Sequence, residues 1–125
     1  MLRHGLAVLL AGSFLALAGC RSAPVLNVAD APVAGTKSLQ QVEQAIVEAG
    51  QSLGWRMQPQ GPGHVQGTLL LRDHRAVVDV SYTAKAYSIR YKDSANLHYD
   101  GSSIHKNYNG WIQNLDRAIS NRLSS

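Results

Sequence analysis

Residues 64–92 read HVQGTLLLRDHRAVVDVSYTAKAYSIRYK. Val65, Gly67, Leu69 and Leu71 alternate with Gln66, Thr68, Leu70 and Arg72. Ala76, Val78, Val80 and Tyr82 then alternate with Val77, Asp79, Ser81 and Thr83, and Tyr87, Ile89 and Tyr91 with Ser88, Arg90 and Lys92. An apolar period of two is the mark of a half-buried strand. The interruptions, Asp73-His74-Arg75 and the residues around Lys85, have room only for tight turns, so the strands pair antiparallel. Such a sheet can bury one face and leave the other in water.

Working upstream, Trp55-Arg56-Met57-Gln58 has the same alternation, and Gly61-Pro62-Gly63 is a turn, which makes a first strand before the three above. Ser38–Leu53 has the helical period instead: Leu39, Val42, Ile46, Ala49 and Leu53 fall on one stripe. Ser38 and Gln41 fit a capping box, and Gly54 fits the left-handed residue that ends a helix. Downstream, Ile104, Tyr108, Trp111, Ile112, Leu115, Ile119 and Leu123 form a second stripe, predicting a helix over 104–123. Arg117 and Arg122 lie near its C-terminal end, where the dipole favours cations. Gly110 within it costs about 1 kcal/mol relative to alanine and reads as a point of close approach to the sheet.

The order α-β-β-β-β-α predicts an α+β fold, a four-stranded antiparallel meander with two helices packed on one face. Trp55, Met57, Val65, Leu69, Leu71, Val78, Val80, Tyr82, Ile89 and Tyr91 are the expected core side of the sheet. Arg56, Gln66, Thr68, Arg72, Asp79, Ser81, Ser88, Arg90 and Lys92 are the expected open side.

The chain has 125 residues, enough for one domain, which is expected to occupy 38–125. Residues 21–37, RSAPVLNVADAPVAGTK, show no sustained period and carry two prolines and a glycine, so 20–37 reads as an N-terminal residue and a flexible tether. An edge strand at Val25–Val28 is the alternative. Before it, a basic start at Met1–Arg3 and a 14-residue apolar run, Gly5–Ala18, have the form of a signal peptide over 1–19. The run is too short to span a hydrocarbon core about 30 Å thick.

Leu17-Ala18-Gly19-Cys20 matches the lipobox at all four positions, and the chain in this respect resembles bacterial lipoproteins. The resemblance implies that Cys20 carries a diacylglyceryl group and becomes the N-terminus after cleavage. It would also take the only thiol out of redox and nucleophilic chemistry. Arg21 stands where an aspartate would signal inner-membrane retention in Gram-negative lipoproteins, which implies the outer membrane, periplasmic face. Two or more acyl chains anchor stably where one holds only marginally.

The densest polar stretch is 91–114, YKDSANLHYDGSSIHKNYNGWIQN. With Leu115 it resembles a run, Y-x-D-S-x-N-L-x-Y-D-G-x-x-I-H-x-x-Y-N-x-W-I-x-N-L, of a group of small bacterial outer-membrane lipoproteins. That likeness implies membership and location and brings no activity with it. His98, Asp100 and His105 are ligand types that zinc accepts, but H-x-D-x4-H is no established metal spacing. The stretch contains no G-x-S-x-G, and Ser94, His98 and Asp100 lack the strained turn that a nucleophilic serine needs.

The expectation is therefore a non-catalytic accessory protein of the cell envelope, with no cofactor and no metal, held to the membrane by its lipid. Its partner would be another envelope protein, met through the open sheet face or the 94–109 loop. The loop's asparagines and aspartates are expected first to bond backbone groups that lack ladder partners; as a recognition surface, Asn96, His98, Asp100, His105, Lys106 and Asn109 are the candidate binding residues on the loop, and Arg72, Arg90 and Lys92 those on the sheet. A small-ligand or metal-binding lipoprotein using His98, Asp100 and His105 is the alternative. The formal charge of +4 falls to +3 when Arg3 leaves with the signal peptide. No aromatic-basic pattern points to nucleic acid.

Overall fold

The computed structural model describes residues 21–124, so the expected signal peptide and the lipobox, Leu17 to Cys20, lie outside the described residues. The elements in chain order are β1 (Ser22–Pro24), β2 (Val28–Pro32), α1 (Leu39–Ser52), β3 (Arg56–Gly61), β4 (His64–Leu71), β5 (His74–Tyr82), β6 (Ala86–Ala95), β7 (Ser103–His105) and α2 (Lys106–Leu123). The fold is α+β. The meander β6-β5-β4-β3 is antiparallel as expected, but β2 adds a fifth strand beside β6, and β1 pairs with β7 in a separate two-stranded sheet.

Local chemistry sets α1. The Ser38 hydroxyl accepts from the Gln41 amide at 3.1 Å while the Gln41 side chain accepts from the Ser38 amide at 2.8 Å. At the other end Gly54 takes φ +88, a conformation without penalty only for glycine. Val42, Ala45, Ile46 and Ala49 of α1 join Tyr108, Ile112, Leu115, Ile119 and Leu123 of α2 in one core with the sheet. Each fully buried large aliphatic contributes about 1.5–3 kcal/mol relative to exposure.

Both helices lie on the same side of the sheet. Tyr82 and Tyr87 face each other across β5 and β6. The Tyr82 hydroxyl donates to Glu43 on α1 at 2.9 Å, and the Tyr87 hydroxyl donates to Asp116 on α2 at 2.6 Å. Burial raises the Tyr87 phenol well above its usual 10.0, and donation to Asp116 raises it further.

Several expectations need correction. Residues 22–32 are folded rather than a tether. Ile104 lies in β7, not in the last helix; its spacing from Tyr108 fits a helix, but its backbone pairs with Ala23. Leu71 ends β4 and is 44% exposed. The turn after β4 falls at Arg72-Asp73, so His74 and Arg75 belong to β5 and Arg72 leaves the sheet in a left-handed conformation, φ +57. Val77, on the open face, is nonetheless buried.

The close approach of helix to sheet is made by Gly50 rather than Gly110. A Cβ at Gly50 would lie 2.3 Å from the Met57 sulfur, and one at Gly67 would lie 3.0 Å from it. Met57 is thus held between a helix glycine and a strand glycine. A Cβ at Gly110 would meet nothing within 4 Å. Gly50→Ala is expected to lose about 1–2 kcal/mol despite its better helix propensity, because Met57, pushed off the new methyl, would have to move toward Gly67, which already lies against it. Gly110→Ala should gain up to about 1 kcal/mol, and urea unfolding of the two variants checks both signs.

Burial raises the Tyr82 phenol as well, with its bond to Glu43 adding to the shift. An acid group raised by folding stabilises fully below its unfolded pKa and loses that stabilisation as pH rises through the folded value. Stability should therefore fall above about pH 10, and Tyr87→Phe should flatten that fall in thermal melts taken across the alkaline range.

Candidate functional site

Strand register decides which side chains share the open face. One row runs Arg56, Thr68, Val77, Asp93 from β3 to β6, and the next runs Gln58, Gln66, Asp79, Arg90. Lys92 is the extra residue of a bulge in β6: Val77 pairs with Asp93 and Val78 with Tyr91. The bulge bends the strand and lets Lys92 reach the same face, where its ammonium meets Gln66 at 3.0 Å and Asp79 at 3.7 Å.

Charges on this face are unevenly matched. Asp79 accepts from His64 at 3.0 Å as well as facing Lys92, and Arg75 meets Asp93 at 2.8 Å. The Arg75 guanidinium holds the exposed Asp93 carboxyl below its usual range, with the Ser94 amide assisting. Arg56, Arg72 and Arg90 are exposed, and their side chains make no hydrogen bond or ion pair among the described residues. Arg56 and Arg90 stand three strand spacings apart, about 14 Å across the sheet.

The 91–114 loop is organised differently. Asn96, at φ +60, donates from its amide to the Asp73 carbonyl at 2.7 Å, and its own carbonyl meets the His74 ring at 2.9 Å. Asp100 accepts from the amides of Ser103 at 2.7 Å and Ser102 at 3.0 Å, and these bonds lower its carboxyl below the usual range. His105 caps α2, its Nδ1 accepting from the Asn107 amide at 3.2 Å. Asn109 accepts from the Leu26 amide and donates to the Pro24 carbonyl, both at 2.9 Å. His98, at φ +54, and Lys106 are exposed.

Of the loop candidates, Asn96, Asp100, His105 and Asn109 are thus spent on backbone groups, as short polar side chains in irregular segments commonly are. Asp100, whose carboxylate serves its own turn, does not join His98 and His105 in a ligand set: among the described residues no three His, Cys, Asp or Glu side chains converge on a cation site. An open groove of about 470 Å³ runs along the loop, lined by Tyr91, Ser94, Leu97, His98 and Tyr99. Tyr91 stacks on Tyr99 with ring centres 4.1 Å apart and meets Tyr108 edge-on at 5.7 Å. The Tyr108 hydroxyl is buried without a hydrogen-bond partner among the described residues.

Sequence reasoning missed Asn27 and Ser88. The Asn27 side chain accepts from the Tyr91 amide at 2.9 Å, beside the bulge, and the Ser88 hydroxyl accepts from the Asp30 amide at 3.0 Å, where β2 breaks register. Both patch ladder groups that regular pairing leaves open. An asparagine or serine near a strand carries no sequence signal for such a bond, because its partner lies about sixty residues away.

No helix among the described residues is long and apolar enough to cross a membrane. No protein-family model, curated protein or solved structure matches the chain.

Asn109→Ala should cost about 1–2 kcal/mol, since it leaves the half-buried Leu26 amide without its acceptor while water takes over at the exposed Pro24 carbonyl, and limited proteolysis should open the chain first at 22–27. Tyr108→Phe should be neutral or stabilising by about 1 kcal/mol, because it removes an unpartnered hydroxyl; chemical unfolding reads both.

Proposed function

We propose that the chain is an outer-membrane lipoprotein, held on the periplasmic face by acylated Cys20, whose domain works by binding an acidic envelope protein rather than by catalysis. The observation that carries the binding reading is the set of unpaired guanidinium groups, Arg56 and Arg90 on one sheet face and Arg72 in the turn between β4 and β5. That face is also free of the helices, which both pack on the other side. Arginine suits such a surface because its planar fork binds carboxylates in pairs of hydrogen bonds. The loop supports the reading from the other direction: most of its polar groups are committed to holding the backbone. The lipid anchor rests on the lipobox and the apolar run before it.

The anchor confines partner search to the membrane surface, so even modest affinity at the sheet face suffices for occupancy. A photo-crosslinking residue at Thr68, in the middle of the face, should give discrete protein adducts in living cells. The same group at Gln113, exposed on α2, should not. Arg56→Glu with Arg90→Glu should abolish the Thr68 adducts while shifting stability by no more than about 0.5 kcal/mol. Adducts that survive the charge reversal, or none at either position, would contradict the proposal.

A further inference from the structure

We propose that β1, β7 and the first turn of α2 form the surface that rests on the membrane, with Arg21 and Lys106 set against the phosphates of anionic lipid headgroups. The inference rests on the acylation of Cys20 proposed above and adds the orientation of the domain.

The decisive fact is where folded structure begins. Ser22 is already paired with His105 in an antiparallel ladder. Two residues of fully extended chain span at most about 7 Å, so the acylated residue has almost no slack. The seventeen-residue tether expected from the sequence would have allowed about 20–25 Å as a coil. The first strand is itself held: the Val25 amide donates to the Ser102 carbonyl at 3.0 Å, and Asn109 grips Pro24 and Leu26. A lipid on Cys20 therefore pulls on one defined corner of a packed domain.

The chemistry of that corner suits phosphate. Arg21 directly precedes Ser22 and Lys106 directly follows His105, so the two cations flank the last pair of the ladder, and both are exposed. Lys106 opens α2, whose first turn holds no acidic residue and whose N-terminal end carries the positive pole of the helix. His98 lies alongside, because the His105 amide donates to the Leu97 carbonyl at 2.8 Å. The nearest acid along this segment, Asp100, sits beyond the other end of β7, with its carboxylate turned onto Ser102 and Ser103. Each lysine or arginine held near an anionic membrane strengthens attachment about fivefold.

With that corner on the headgroups, α2 would point away from the bilayer. Asn121 lies fifteen residues on from Lys106 in this helix, a rise of about 22 Å, which carries it out of headgroup reach. The test uses the acylated protein reconstituted into vesicles containing phosphatidylglycerol and a headgroup-attached quencher. A fluorophore is placed at Asn107→Cys in one sample and at Asn121→Cys in the other, both positions exposed. Strong quenching at 107 and little at 121 is expected, and Arg21→Glu with Lys106→Glu should bring the two values together. Equal quenching at both positions, in protein whose mass shows the acyl chains on Cys20, would overturn the orientation and leave the anchor standing. A mass without acyl chains would overturn both.

Discussion

The side-chain amide of Asn109 ties the first folded residues of the chain to the last helix. It accepts from Leu26 and donates to Pro24, bridging more than eighty residues of sequence. Around it, β1 pairs with β7 and β2 pairs with β6. The isolated ladder of β1 and β7 is three residue pairs long, and a two-stranded ribbon of that length does not hold by itself in water. The asparagine supplies a constraint that the ladder lacks, beside the Val25–Ser102 bond and the burial of Ile104 in the core.

Sewing the N-terminal segment into the fold also determines what the sheet presents. β2 covers the edge of β6 that would otherwise offer unpaired backbone groups, a recurrent route to aggregation. The two edge strands of the sheet are β2, five residues long, broken in register and ending on Pro32, and β3, which carries Pro59 and a register shift before Gly61; these features discourage further pairing. What stays available is the face, not the edge: a polar surface with more cations than carboxylates opposite the helices. The buried tyrosines Tyr82 and Tyr87 fasten one helix each to the other side of the sheet through a carboxylate, which leaves that face uncovered by the helices.

Much of this was legible in the sequence, for a local reason. The capping box at Ser38, the stripe of α1, the turn at Gly61-Pro62-Gly63 and the alternation of β4 to β6 each depend on residues close together in the chain. The parts that were not legible depend on distant partners. VADAP, the sequence of β2, has no strand period; its pairing is broken at Asp30 and repaired by Ser88 on another strand. Ile104 fits the spacing of α2 but belongs to a strand, because periodicity cannot register a partner such as Ala23. In the 91–114 stretch the asparagines and aspartate read as backbone ligands, and Asp100 serves Ser102 and Ser103 close by; only the distant groups that Asn96 and Asn109 bond needed the fold to be seen. Gly50, rather than Gly110, is the close contact because Met57 lies against it, a fact set by packing alone.

The claim on which the rest depends is that the chain is folded almost immediately after Cys20. Hydrogen exchange on the mature acylated protein tests it at single amides. Val25 and Leu26, whose amides donate to Ser102 and Asn109, should exchange orders of magnitude more slowly than free chain, as buried and bonded amides do. Exchange of both at the free-chain rate, with the strands β4 to β6 still protected, would contradict the account.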